Sequence, residues 1–314
     1  MSRVRRVLGW AAVAVSVGYL VSVGLDHLTS VREELDWTVS SALGLAGTVG
    51  LYLLTLVLGG LAWTLLLRGV GGRLSLRSGL VVVLRSNVAK YLPGNVGHLA
   101  GRVVLARRAG VPTTTAVASL ALEALMTVAA GLLFAAVSAP RSMAHWLAVA
   151  DRREGRAAIA LGMAVLILGV IVAWVWYRSS RRLAGSPTTW LPRWIGSSRA
   201  VTSLGLYAVN FALLGVALVT LARSVLPMSP SPYWLLAGSF AVAWVAGFVL
   251  PGAPAGLGVR EAVLVAELDP ILGGGEALTL ALLLRLATVA GDGLAFLIGA
   301  AWGRRSESRP PEVG

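Results

Sequence analysis

Apolar runs of roughly 20 residues recur along the chain, separated by short polar stretches that hold most of its arginines. A run of that length crosses the hydrocarbon core of a bilayer as a helix. Six runs read as full spans: 7–25, 42–67, 113–138, 157–177, 201–222 and 277–301. The first could be a signal peptide, but it lacks a good small-x-small cleavage site and reads as an uncleaved anchor. Two shorter apolar segments, 76–92 and 234–250, each run into a Pro-Gly break, and a short helix follows each break, at about 97–109 and up to about 268. Helix, break and helix together read as a re-entrant hairpin. The expected fold is all-α: a polytopic membrane protein with about six spans and two re-entrant helical hairpins.

The two breaks match each other. Leu92-Pro93-Gly94 is followed by Leu99 and Arg102, and Leu250-Pro251-Gly252 by Leu257 and Arg260, all at one offset of 158 residues. The same offset carries 42–67 onto 200–225 and 76–92 onto 234–250, and brings 277–301 close to 113–138. The repeat halves are then about 42–138 and 200–301, inside one transmembrane domain of residues 1–303, with 304–314 a disordered tail. Internal repeats with broken helices are a pattern of transporters, with the breaks at the binding site.

Charge sets the orientation. Arg3, Arg5 and Arg6 precede the first span, and Asp26, Glu33, Glu34 and Asp36 follow it. Loop 178–200 has five arginines and no acid, and Arg304, Arg305 and Arg309 follow the last span. By the positive-inside rule both termini are cytoplasmic, in the cell membrane. Loop 139–156, outside on this count, carries four arginines and is the exception. Segment 42–67 then runs inward and 201–222 outward, so the repeat is inverted.

Composition narrows the chemistry. The chain of 314 residues is 57% hydrophobic and 13% charged, against about 25% charged in soluble domains. Absence of cysteine excludes disulfides, thiol nucleophiles and Cys-based metal sites. The histidines, His27, His98 and His145, have no metal-ligand spacing. A net charge of +13 suggests nucleic acid, but the arginines sit mostly between apolar runs, where they orient spans and meet anionic lipid. The single lysine, Lys90, lies two residues before the first Leu-Pro-Gly.

Eight charges fall at membrane depth: Arg85, Lys90, Arg102, Glu123, Arg260, Glu261, Arg285 and Asp292. Each costs roughly 2.5–3.5 kcal/mol there unless it meets a partner or a cavity. The basic excess suits an anionic headgroup, since guanidinium and ammonium groups bind phosphate. Gly94, Gly97, Gly252, Gly256 and Gly258 would free backbone N–H groups at the breaks. With Tyr91, Asn95, His98, Lys90, Arg102, Arg260 and Glu261 they form the expected substrate-binding set. Glu123, Arg285 and Asp292 are the expected coupling or gating residues.

Each has a structural alternative. Glu123 and Arg285 could pair with each other, and Asp292 with a neighbouring arginine. His98 could bond freed backbone, and Asn95 serve a turn. Asn87 and Asn210 would bond between helices. Arg85, placed near the start of its half-helix, could snorkel to the cytoplasmic surface. Arg107 and Arg108 suit orientation charges, and the tryptophans and tyrosines mostly interface belts.

Lys90-Tyr91-Leu92-Pro93-Gly94 with Gly97-His98 and Arg102, and Pro251-Gly252 with Gly256-Leu257-Gly258-Val259-Arg260-Glu261, resemble the flippase-like family that includes the transmembrane region of lysylphosphatidylglycerol synthases. The resemblance covers about residues 7–303. Glu123 and Arg285 look like the acidic and basic residues that the family carries after each motif. Ala253-Pro254-Ala255 extends the second break beyond the family's usual Pro-Gly-Gly-Leu-Gly. No aminoacyl-transferase domain follows the spans, so lysine transfer is not implied.

The resemblance implies movement of a lipid between leaflets. The substrate expected is a phospholipid or polyprenyl-phosphate-type lipid with an anionic headgroup. No cofactor is expected, and no Walker signature is present. Energy would come from a gradient, the membrane potential or product consumption, with Glu123, Glu261 or Asp292 carrying a coupling proton. The alternatives are an accessory protein for a partner lipid-modifying enzyme, or an intramembrane lipid-phosphate enzyme.

Overall fold

The computed structural model describes residues 38–91, 97–150, 198–226, 233–249 and 254–307. The expected spans 7–25 and 157–177, residues 308–314, and the break residues 92–96 and 250–253, with Gly94, Asn95 and Gly252, lie outside them.

All regular structure among the described residues is helical. The helices are α1 (Val39–Gly69), α2 (Leu76–Asn87), α3 (Gly97–Arg108), α4 (Thr113–Ala150), α5 (Ser198–Val225), α6 (Tyr233–Val249), α7 (Val259–Leu272) and α8 (Gly274–Glu307). Short 3₁₀ turns, Val88–Tyr91 and Pro254–Gly256, lie at the two breaks. Four helices are long and apolar enough to cross a membrane: α1, α4 over Thr113–Ala136, α5, and α8 over Gly274–Arg304. The chain is a multi-pass membrane protein. α6 is apolar but has only 17 residues.

Two boundaries move. The expected loop from 139 is helical to Ala150, so α4 has 38 residues, about 57 Å of helix and longer than the hydrocarbon core. Six alanines from 135 to 150 sustain it past Pro140, which removes one N–H from the ladder. α8 likewise continues to Glu307, into the expected tail.

Small residues let the helices approach, as is usual where lipid supplies no hydrophobic drive. α1 and α5 run antiparallel. Ser41 Oγ donates to Ser224 O at 3.1 Å, Thr48 Oγ1 to Ala217 O at 3.3 Å, and Ser203 Oγ to Ala62 O at 3.4 Å. Each break folds its helices back on one another. Gly101 of α3 faces Ser86 of α2, and Gly247 of α6 faces Gly256 and Arg260. α2 also packs on α8, where Leu84 and Arg85 lie against Gly299 and Gly303, and α6 packs on α4, where Val245 meets Gly131. Arg85 is therefore in the last turn of α2, against α8. It is not near the start of its helix, as the chain suggests.

Candidate functional site

Between the two breaks lies a cavity of about 210 Å³. Lys90, His98 and Arg102 line it from the first break, and Ala255, Gly256 and Arg260 from the second. Tyr52 of α1, Glu123 of α4, Tyr207 and Asn210 of α5, and Trp244 of α6 are among its other polar and aromatic lining residues.

Local structure aims these groups. α3 begins at Gly97 and presents His98 and Arg102, one turn apart, on one face. At the second break Ala255 (φ 53°), Gly256 (φ 69°) and Gly258 (φ 82°) all adopt left-handed backbone. Ala255, not a glycine, carries part of the strain. A Cβ on Gly256 would lie 3.2 Å from the Gly247 backbone, so that approach needs glycine. Glu261 caps α7 by accepting from Gly258 N–H at 2.7 Å. Arg260, the residue before it, faces the cavity instead.

Three ion pairs form around the cavity. Lys90 Nζ lies 2.7 Å from Asp292 Oδ2, Arg102 2.5 Å from Glu123 Oε2, and Arg285 3.3 Å from Glu261 Oε1. The expected Glu123–Arg285 pair is not made. Glu123 is reached through the tight α3–α4 turn, which brings it to Arg102, while Arg285 sits behind Arg260 on α8. Asp292 pairs with Lys90 and not with an arginine. It is fully buried and also accepts from Tyr52 OH (2.7 Å), Asn87 Nδ2 (2.6 Å) and Tyr91 OH (2.5 Å). Asn87 thus bonds between helices as its position suggests.

α8 holds both breaks. Asp292 binds three groups of the first. Arg285 binds the second, donating to Ala255 O at 3.2 Å and pairing with Glu261. The spacing of seven residues puts Arg285 and Asp292 on one face of the helix, two turns apart. Arg285 also lies over the Tyr91 ring, 5.6 Å from its centroid.

Arg260 has no carboxylate partner among the described residues. It lies over the Trp244 ring at 5.8 Å, as Arg102 lies over Trp63 at 5.3 Å. Eight buried side-chain atoms have no hydrogen-bond partner among the described residues. Arg260 Nε, Arg102 Nε, His98 Nδ1, Tyr207 OH and Asn210 Oδ1 belong to residues that line the cavity, and Ser239 Oγ, Thr279 Oγ1 and Arg285 Nη2 lie outside its lining. The freed backbone expected to bond His98 belongs to residues 92–96, outside the described residues, and Asn210 Oδ1 makes none of the interhelical bonds expected of that side chain among them. Unpaired buried groups cost roughly 1–3 kcal/mol each, and native proteins reserve them for ligand or water.

Of the expected substrate set, Lys90, His98, Arg102, Gly256 and Arg260 line the cavity, whereas Tyr91, Gly97, Gly258 and Glu261 support the breaks behind it. Among the coupling residues only Glu123 faces it. The pattern of the chain did not single out Tyr52, Trp63, Tyr207 or Trp244. Tyr52 lies 13 residues into α1, about 20 Å along the helix and too deep for an interface belt. That depth was the available signal.

No curated protein matches the chain. A family profile does, over residues 9–295, which include both breaks and every residue of the cavity wall. With that match spanning nearly all of a multi-pass helical chain, the protein belongs to the lysylphosphatidylglycerol synthase transmembrane-region family.

Proposed function

We propose that the protein is a lipid transporter of the cell membrane, and that its cavity receives an anionic headgroup while the hydrocarbon tail stays in the bilayer. The observation that carries the reading is the convergence of Lys90, Arg102 and Arg260 from two separate helix breaks on one cavity, with guanidinium Nε atoms of Arg102 and Arg260 unpaired and buried. A phosphate oxygen supplies what those donors lack.

An inverted repeat of halves 42–138 and 200–301 in one domain supports transport over an accessory or enzymatic role. Three contacts agree with it. The repeat-related helices α1 and α5 are antiparallel. The repeat-related residues Arg102 and Arg260 face one cavity. The packing of α2 on α8 is mirrored by α6 on α4. Each short helix leans on the last span of the other half, so the halves are interlocked. Alternating access therefore comes from movement of a hairpin with the span that it leans on, and not from rocking of whole halves. The hairpins enter from opposite faces, with both termini cytoplasmic.

Transport is tested in vesicles loaded with a fluorescent-tailed phosphatidylglycerol, by surface quenching over time. Arg260→Ala is expected to lower the rate roughly 10–100-fold, the value of a charge-assisted hydrogen bond. An unchanged rate would remove the headgroup site. Orientation is tested by cysteine labelling on the natural cysteine-free background. Arg73→Cys and Ala109→Cys should label from one face, and Asp269→Cys from the other. Labelling of positions 73 and 109 from opposite faces would make α2–α3 a crossing segment and end the re-entrant reading.

A further inference from the structure

Resting on that reading, we infer that the cavity selects a headgroup with one net negative charge, a phosphodiester monoanion, and that Arg260 sets the selection.

The argument is a charge count. Lys90, Arg102, Arg260 and Arg285 surround the two breaks with Glu123, Glu261 and Asp292. Every carboxylate is taken: Asp292 by Lys90, Glu123 by Arg102 and Glu261 by Arg285. Break residues 92–96 and 250–253 carry no charge in the sequence. With His98 as the neutral imidazole, the site holds one cation in excess, and geometry identifies it as Arg260. Its guanidinium faces the cavity, rests on Trp244 and leaves Nε without a partner among the described residues.

Charge is expensive at membrane depth, so the most stable complex is the one that leaves no net charge. A monoanion cancels Arg260. A zwitterionic headgroup leaves the excess in place. A dianion overshoots, and the only further cations facing the cavity among the described residues, Lys90 and Arg102, are already matched by Asp292 and Glu123. Glu123 has a second effect, because it lines the cavity beside Arg102 and repels a second anionic group there. Arg285 and Glu261 lie behind Arg260, around a separate crevice of about 10 Å³, and do not reach the ligand space.

The test is native mass spectrometry of the purified full chain in detergent, with phosphatidylglycerol, phosphatidylcholine and phosphatidic acid of equal tails competing; the phosphomonoester of phosphatidic acid is the dianion. The wild type should retain phosphatidylglycerol about tenfold or more over the other two. Arg260→Gln should level phosphatidylglycerol with phosphatidylcholine. Glu123→Gln, with a second cation in excess, should move the preference to phosphatidic acid. Equal retention of phosphatidylcholine by the wild type, or a ranking that neither variant changes, overturns the charge rule. Should Glu123→Gln fail to fold, Arg260→Gln decides alone, since it removes a charge that has no partner to strand. Retention of the tail-free phosphodiester glycerophosphoglycerol as tightly as the lipid would assign the site to a soluble ligand and overturn the lipid class. Binding and transport separate the two claims: charge-ranked binding without movement sinks transport alone, whereas movement without charge ranking sinks the rule alone.

Discussion

The first break is tied to α8 at Asp292, and the second opens at Arg260 onto the cavity. Both places bury charge among aromatic rings, yet they end in opposite states. Both oxygens of Asp292 are occupied, by Tyr52, Asn87, Tyr91 and Lys90. Arg260 keeps Nε unpaired over Trp244, beside the similarly unsatisfied Arg102 and His98. The difference separates two uses of charge within a membrane. A fully bonded carboxylate cross-links segments distant in the chain and stabilises the fold. An unpaired cation weakens the fold slightly, and under the proposed function its use is in what it binds.

The comparison fails if the two sites respond alike to substitution. Asp292→Ala should have the largest effect, since it strands the largely buried Lys90 and removes the acceptor of three other donors. A loss of about 3–5 kcal/mol is expected, read as a fall in the melting temperature followed by fluorescence-detected size exclusion. Gly247→Ala is next, at roughly 1–3 kcal/mol. Its Cβ would lie 3.3 Å from Arg260 Cβ and 3.4 Å from Gly256 Cα. The same shift displaces Arg260, so lipid retention should fall along with stability. Tyr52→Phe deletes one of the four donors to Asp292 and should cost about 1 kcal/mol in thermal stability with little change in headgroup ranking. Arg260→Gln should be the mildest for folding, within about 0.5 kcal/mol of the wild type, although it abolishes the preference for phosphatidylglycerol. If Arg260→Gln unfolds the protein as Asp292→Ala does, Arg260 is structural and the contrast is void.

Much of this was legible along the chain. The apolar runs placed α1, α4, α5 and α8, and the Pro-Gly motifs placed both breaks. The resemblance of the motifs agreed with the family match. Intramembrane charge alone marked Lys90, Arg102, Arg260 and Glu123 as candidates. The partners were less legible. Glu123 and Arg285 looked like a pair because each lies in the span that follows a motif, but pairing depends on which helix faces stand opposite one another. Arg102 meets Glu123 because the α3–α4 turn is tight, with Gly110 in left-handed backbone (φ 83°). Tyr52, Tyr207, Trp63 and Trp244 were hidden because an aromatic residue in an apolar run has the same local pattern whether it faces lipid, core or cavity.

Hydropathy, proline, glycine and charge act over one or two helical turns, and so the sequence by itself determined that this is a helical membrane protein with two interrupted segments and a surplus of cations at membrane depth. Tertiary structure alone decided which cation remains unmatched. Neutralisation is settled among side chains far apart in the chain, as Lys90 and Asp292 are, and only the packing of α8 against both breaks leaves Arg260 without a carboxylate among the described residues.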